Sequence, residues 1–299
     1  MLKKDDILEF YKYYPIDHWI YKANMFKNII ENFDTVKEII LKNLIDVIDN
    51  DCINMLKAEI HFILFQMIET LFELIFALEK RDDKNLWLYL SLTQSTSRKR
   101  YKRIERISKG EVDFIDNPVI LPSGREIPLI YYIFYFGIDQ IPIKEIIENF
   151  ESIKRLLIIL AKIFTERIEY NAYKHSLRFF QLPIAIELGE LKGDEKIPIL
   201  KASSDNNLTF LFNERGVIKK VSKSFDYEID YEKIMVCHNL ISNMINARKR
   251  NFFNPDGKVK LAYFNKFDFD SLNKPNYTLT KFESIIGWLK KNDEKRKIT

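Results

Sequence analysis

Glycine is scarce in this chain, with 8 in 299 residues, where average usage of about 7% would supply roughly 20. None of the eight stands in a G-x-G-x-x-G or Walker-A pattern, so no loop is marked for cradling phosphates with backbone amides. Cysteine is scarcer still. Cys52 and Cys237 lie far apart with no C-x-x-C, which excludes a disulfide framework and a cysteine zinc site. There are 4 histidines and no Glu-x-x-His, which excludes a di-iron carboxylate bundle. A metal site drawn from His61, His175, His238 and the glutamates has no local ligand motif. A large excess of one charge is missing too: 47 Lys and Arg against 43 Asp and Glu leave +4, too little to demand a nucleic-acid partner. Met1 to Phe10 carries Asp5 and Asp6 and no apolar core of a signal peptide. These absences lead to an expectation of a cytoplasmic protein with no metal and no cofactor.

What is present is apolar and helical. Hydrophobic residues make up 46% and charged residues 30%, enough to bury a sizeable core. The stretch from Asp51, read as an N-cap, to about Lys80 is apolar nearly all round and reads as a buried helix. Within it, Ile60 to Leu78 holds His61, Gln66, Glu69 and Glu73, and charges at a bilayer centre cost about 2.5–3.5 kcal/mol each. A central bundle helix is expected there, and no membrane partner. Pro142 opens a long helix predicted over Ile143 to Phe180 and ended by Pro183. Short strands are predicted at Ile184 to Leu188 and Ile197 to Ala202, and a hairpin at Leu208 to Phe212 and Val217 to Val221. A helix over Tyr231 to Phe252, a strand over Lys258 to Phe264 and a last helix over Thr280 to Lys291 follow. The predicted fold is mainly α: a helical bundle with a small antiparallel β-hairpin or sheet in the C-terminal third. Residues 1–182 form the bundle core, 183–226 a β insertion, and 227–299 the helices and strand that complete the same domain.

Polar residues on the most apolar helix need partners, since an unpaired one costs several kcal/mol. Glu59, Gln66 and Glu73 recur every seven residues on one face, and Glu69 joins them one turn away. They either brace the bundle or form a site. On the long helix, Arg167, Asn171 and His175 are spaced i, i+4, i+8, with Arg178 a turn further. An arginine there can neutralise phosphate bidentately, and an imidazole titrating near neutral pH can move a proton. The alternative is an Asn–His pair hydrogen-bonded to the glutamates. His238 beside Cys237 is read as buried and structural, because adjacent helical residues do not face each other.

Asn171-Ala-Tyr-Lys-His175, with Arg167 upstream, resembles the signature of the HEPN superfamily, helical bundles that include many metal-independent ribonucleases alongside binding and structural relatives. Tyr170, not Arg, precedes Asn171. The resemblance implies His175 as general acid or base on a ribose 2′-hydroxyl, Arg167 or Arg178 stabilising the phosphorane, and Glu59 or Glu73 positioning the imidazole. It also implies a homodimer that brings two motifs together, RNA as partner, and a role in defence or toxicity.

The other functional feature is a basic run. Arg98, Lys99, Arg100, Lys102, Arg103, Arg106 and Lys109 fall within twelve residues, with Glu105 the only acid. Such a cluster neutralises phosphates, and Tyr101 could stack on a base. The alternative is a solvated charged helix. A second cluster, Arg248-Lys249-Arg250, ends a predicted helix, where cations complement the helix C-terminus. Three functions stand: an RNA-binding protein or ribonuclease, a non-catalytic bundle that binds nucleic acid or protein, and a small-molecule or metal enzyme.

Overall fold

A computed structural model describes residues 4–42, 49–91, 97–121, 123–136, 138, 143–174, 179–180, 184–192, 195–204, 207–214, 217–264, 267–272 and 281–288. Its helices are α1 (Lys4–Tyr13), α2 (His18–Glu31), α3 (Phe33–Ile40), α4 (Asp49–Leu78), α5 (Leu86–Ser91), α6 (Ser97–Ser108), α7 (Leu129–Tyr135), α8 (Ile143–Thr165), α9 (Ile168–Lys174), α10 (Tyr227–Phe253) and α11 (Phe269–Leu272). The strands are β1 (Pro118–Ile120), β2 (Glu126–Pro128), β3 (Phe179–Phe180), β4 (Ile184–Lys192), β5 (Glu195–Ser204), β6 (Asn207–Glu214), β7 (Val217–Ser224) and β8 (Lys281–Trp288). The chain is mainly α with small antiparallel sheets, most of them in its C-terminal part, as the periodicity predicts. Its contacts divide it into two compact units: Met1–Asn24, Ile63–Arg167 and Tyr231–Asn273 form one, and Met25–Phe62, Ile168–Asp230 and Lys274–Thr299 the other.

The first unit is helical. On α8, Ile153, Leu156, Leu157, Leu160, Ala161 and Phe164 are buried at helical spacing. On α10 the buried stripe runs Ile234, Cys237, Ile241, Met244 and Ile245, and its next member is Arg248. All seven residues of α7 are buried. Its tyrosine hydroxyls therefore need partners. Tyr132 donates to Asp83 at 2.6 Å, and Tyr135 donates to the carbonyl of Ala262 at 3.1 Å. α4 is long and apolar enough to cross a membrane by length and composition, and 72% of its most apolar window is buried. Asp51 lies inside the first turn of α4, which begins at Asp49, instead of capping it. The helix ends at Leu78 and a turn carries the chain to Arg81, whose φ of 58° is left-handed, followed by Asp82, which accepts from Asn85 and Tyr89.

Residues 258–264 do not form the predicted strand. Two buried asparagines take the place of a neighbouring strand. Asn243 donates to the Ala262 carbonyl and accepts from its N–H, both at 2.8 Å, and Asn149 accepts from the N–H of Phe264 at 2.6 Å. Asn149 also donates to the Tyr135 hydroxyl. The N–H and carbonyl of Ala262 and the N–H of Phe264 are thus satisfied by side chains.

The second unit carries most of the β-structure. β4 and β5 form a separate hairpin with a bulge after Leu188, while β3, β6, β7 and β8 make a four-stranded antiparallel sheet in the order β3-β6-β7-β8. Thr209 and Ser222 sit opposite each other in the β6–β7 pair, buried, with hydroxyls 2.7 Å apart. β8 replaces the predicted last helix. Phe282, Ile285, Ile286 and Trp288 are strand-prone, and Gly287 disfavours a helix interior. Gly287 pairs with Ile218 next to the register shift in β7.

The long predicted helix is also two. α8 stops at Thr165, whose hydroxyl turns back to the Lys162 carbonyl at 2.8 Å, and the N–H of Glu166 bonds to Ile163 in a tightened last turn. α9 restarts at Ile168, and Phe179–Phe180 belong to β3.

Candidate functional site

The break between α8 and α9 removes the continuous helix that would align Arg167 with Asn171. Arg167 falls in the break. Its guanidinium lies 3.9 Å from the centroid of the Phe164 ring and 4.9 Å from that of Tyr101, a cation–π arrangement. Tyr101 donates its hydroxyl to the Thr165 carbonyl at 3.1 Å, so this residue fastens the end of α8. Asn171 is exposed on α9. His175 and Arg178 lie outside the described residues.

The carboxylates of α4 are engaged, and their partners differ from the imidazole the resemblance implies. Glu59 accepts from the Tyr173 hydroxyl at 3.0 Å, and the Tyr173 ring stacks on Phe62 with centroids 3.9 Å apart. Burial first, and then the Glu59 carboxylate, pushes that phenol up to about 12. Glu73 pairs with Arg100, whose other amino group lies 3.7 Å from Glu69. Glu79 takes both amino groups of Arg103, at 2.5 and 2.8 Å. The Arg103 guanidinium is also held between the rings of Phe76 and Phe114, at 4.3 and 4.5 Å. Gln66 has a buried amide oxygen with no hydrogen-bond partner among the described residues.

The basic run is therefore divided by the helix it forms. At 100° per residue, Arg100, Arg103, Ile104 and Ile107 share one side of α6, and Arg98, Lys99, Lys102, Arg106 and Lys109 share the other. Ile104 and Ile107 are buried, and Arg100 and Arg103 meet Glu73 of α4 and Glu79 in the turn just after it. On the outer side, Arg106 pairs with Glu111 at 2.6 Å and Lys109 with Glu105 at 3.0 Å. Arg98, Lys99 and Lys102 are exposed.

Two buried polar pairs escape a reading by sequence spacing, because each joins residues more than 160 positions apart. His61 donates its Nδ1 proton to Asp230 at 2.7 Å, with the Phe225 ring 4.9 Å away. His61 is only 7% exposed and Asp230 5%, so the pair is closed to a substrate and fits a structural strut. Arg248 is fully buried. Its Nε donates to Asp83 at 2.5 Å and its amino groups to the carbonyls of Ile133 and Tyr132 at 2.7 and 2.8 Å. Tyr11 and Tyr132 donate to the same aspartate, and burial pushes both phenols well above the ordinary tyrosine range. The complement to the helix C-terminus expected of Arg248 is therefore not its main role, which is to pair with a buried aspartate. The one sequence signal was its place on the apolar stripe of α10.

Cys237 is fully buried, and desolvation pushes its thiol far up, which makes it a poor nucleophile. His238 lies 3.5 Å from Asp17 and 3.4 Å from Ser242, and its Nδ1 is buried without a hydrogen-bond partner among the described residues. Burial lowers its pKa more than Asp17 raises it. Among the described residues, no three His, Cys, Asp or Glu side chains gather to hold a metal ion. No family model, curated protein or solved structure matches this chain.

Proposed function

We propose that this chain is an RNA-binding helical protein that contacts the phosphate backbone through the outer side of α6. The observation that carries this reading is the division of α6. Its inner arginines are neutralised by Glu69, Glu73 and Glu79, while Arg98, Lys99 and Lys102 stand exposed within an arc of about 100°. The inner ion pairs fix the orientation of the helix, so the outer cations are presented on a rigid element. Cations placed this way bind phosphates through charge and release counterions on binding. The choice of RNA rests on the HEPN resemblance around Asn171 and His175. Metal-independent cleavage rests on that resemblance alone, with His175 as the proton-transfer group.

The test uses a fluorescent single-stranded RNA of mixed sequence, titrated with wild-type protein and with the Arg98→Ala/Lys99→Ala/Lys102→Ala variant in EDTA. Wild type binds and the variant binds at least about tenfold more weakly, because three phosphate contacts are lost. Equal affinity of the two proteins contradicts the reading. Intact RNA at the end of the titration removes the ribonuclease reading and leaves the binding one standing.

A further inference from the structure

We propose that the end of α10, together with Lys12 of α1 and the segment after α10, forms a pocket for a nucleotide-class ligand, a polyphosphate joined to an aromatic ring. The pocket is an open depression of about 530 Å³, within the roughly 300–1,000 Å³ usual for small-molecule sites. Five of its lining side chains are cations: Lys12, Lys249, Arg250, Lys258 and Lys260. No carboxylate lines it among the described residues. The negative end of the α10 dipole accounts for Lys249 and Arg250. It does not account for Lys12, Lys258 and Lys260, which three-dimensional folding brings to the same cavity from two other segments.

A second cavity of about 420 Å³ gives the contrast. There Arg103 and Arg106 share the walls with Glu111 and Asp113, so the charge is already balanced. The α10 pocket has no carboxylate in its described lining; the acids that act on its cations, Asp17 on Lys249 and Glu9 on Lys12, stand outside that lining. Lys249 is half-buried, and desolvation lowers its pKa against the pull of Asp17. An anion in the pocket would relieve that penalty.

The remaining walls suit the rest of a nucleotide. Phe253 is 47% exposed and offers a ring face, Val259 adds apolar surface, and Asn246 supplies an amide that both donates and accepts. The wall is also held in place before any ligand arrives. Arg250 donates to the Gly257 carbonyl at 2.8 Å and braces the turn after α10. Gly257 is closely packed there, since a Cβ would meet Asn254 at 2.3 Å. Beyond the lysines, Asn243 clamps the backbone of Ala262. Lys258 and Lys260 are thus carried on a segment fixed at both ends, which lowers the ordering cost of binding.

The experiment is calorimetric titration of the full chain with ATP and with inorganic tripolyphosphate, both in EDTA. Both probes bind. Lys258→Glu/Lys260→Glu changes two exposed side chains and weakens each probe by at least about tenfold, and Lys12→Glu, from a different element, weakens each as well. Phe253→Ala weakens ATP several-fold and leaves tripolyphosphate unchanged. The Arg98→Ala/Lys99→Ala/Lys102→Ala variant binds ATP like wild type, so the pocket stands or falls apart from the RNA-binding reading. Absence of binding by either probe at millimolar concentration overturns the proposal, as do unchanged affinities in the lysine variants. Phe253→Ala with full ATP affinity overturns the nucleotide assignment. Displacement of ATP by stoichiometric single-stranded RNA lacking a terminal phosphate overturns it in favour of a nucleic-acid backbone.

Discussion

Arg98 to Lys109 and Arg248 to Arg250 are both basic runs on helices, and their side chains are used in opposite ways. On α6 the burial side is neutralised by carboxylates that α4 and the turn after it supply, and the outer side keeps its charge. At the end of α10 each of three consecutive cations has its own task. Arg248 is sealed in the core with Asp83, Lys249 lines a pocket, and Arg250 braces a turn. The comparison teaches that a cluster of charges along the sequence is a poor guide to a cluster in space. The denser run is half consumed by structure. The shorter run gains three lysines from elsewhere in the chain, which line the same pocket as Lys249 and Arg250.

The strongest way to break this comparison is to remove the buried member. Arg248→Ala leaves Asp83 charged in the core and strands two carbonyls, so denaturant unfolding is expected to show a loss of about 3–5 kcal/mol. A loss below about 1 kcal/mol would place Arg248 with the surface cations instead. The next effect is on α6. Arg100→Ala breaks a part-buried pair with Glu73 and is expected to cost about 1 kcal/mol, whereas Lys99→Ala stays within about 0.5 kcal/mol of wild type. Equal losses would dissolve the inner and outer sides.

The smallest effect is in pH dependence near the α10 pocket, where Asp17 faces both His238 and Lys249. Burial lowers the His238 pKa in the folded chain, so the unfolded chain binds the proton more readily. The stability held above the unfolded value of about 6.5 is lost as pH falls below it. Thermal melts of wild type between pH 7.5 and 5 should therefore decline more steeply than those of His238→Gln. Parallel curves would mean that His238 keeps its proton equilibrium on folding.

Much of the fold was legible because apolar spacing is a local signal. α4, α8, α10 and the β6–β7 hairpin follow from it. The failures have local physical causes. The α8–α9 break depends on a threonine hydroxyl competing for a carbonyl, and the residues on either side keep helical spacing. β8 has enough apolar residues to suit either period, and pairing with β7 decides it. Residues 258–264 form no strand, and Asn149 and Asn243, from two distant helices, bond the backbone of Ala262 and Phe264 instead. At the sites, the stripe of glutamates on α4 and the basic run on α6 were both visible, but their mutual neutralisation was not, since it depends on how α6 packs. Opposite charges on two helices, each with buried apolar positions, were the signal available. Nothing in sequence spacing joins Lys12 to Lys258 and Lys260.

The most direct test of the divided α6 helix is the salt dependence of RNA binding. Log affinity against log salt should be shallower by about 2 in Arg98→Ala/Lys99→Ala/Lys102→Ala, at roughly 0.7 per phosphate contact on a single strand. In Arg100→Ala/Arg103→Ala, once its folding is verified, the slope should match wild type. The reverse pattern, with the inner variant flattening the slope and the outer variant leaving it unchanged, would contradict the account.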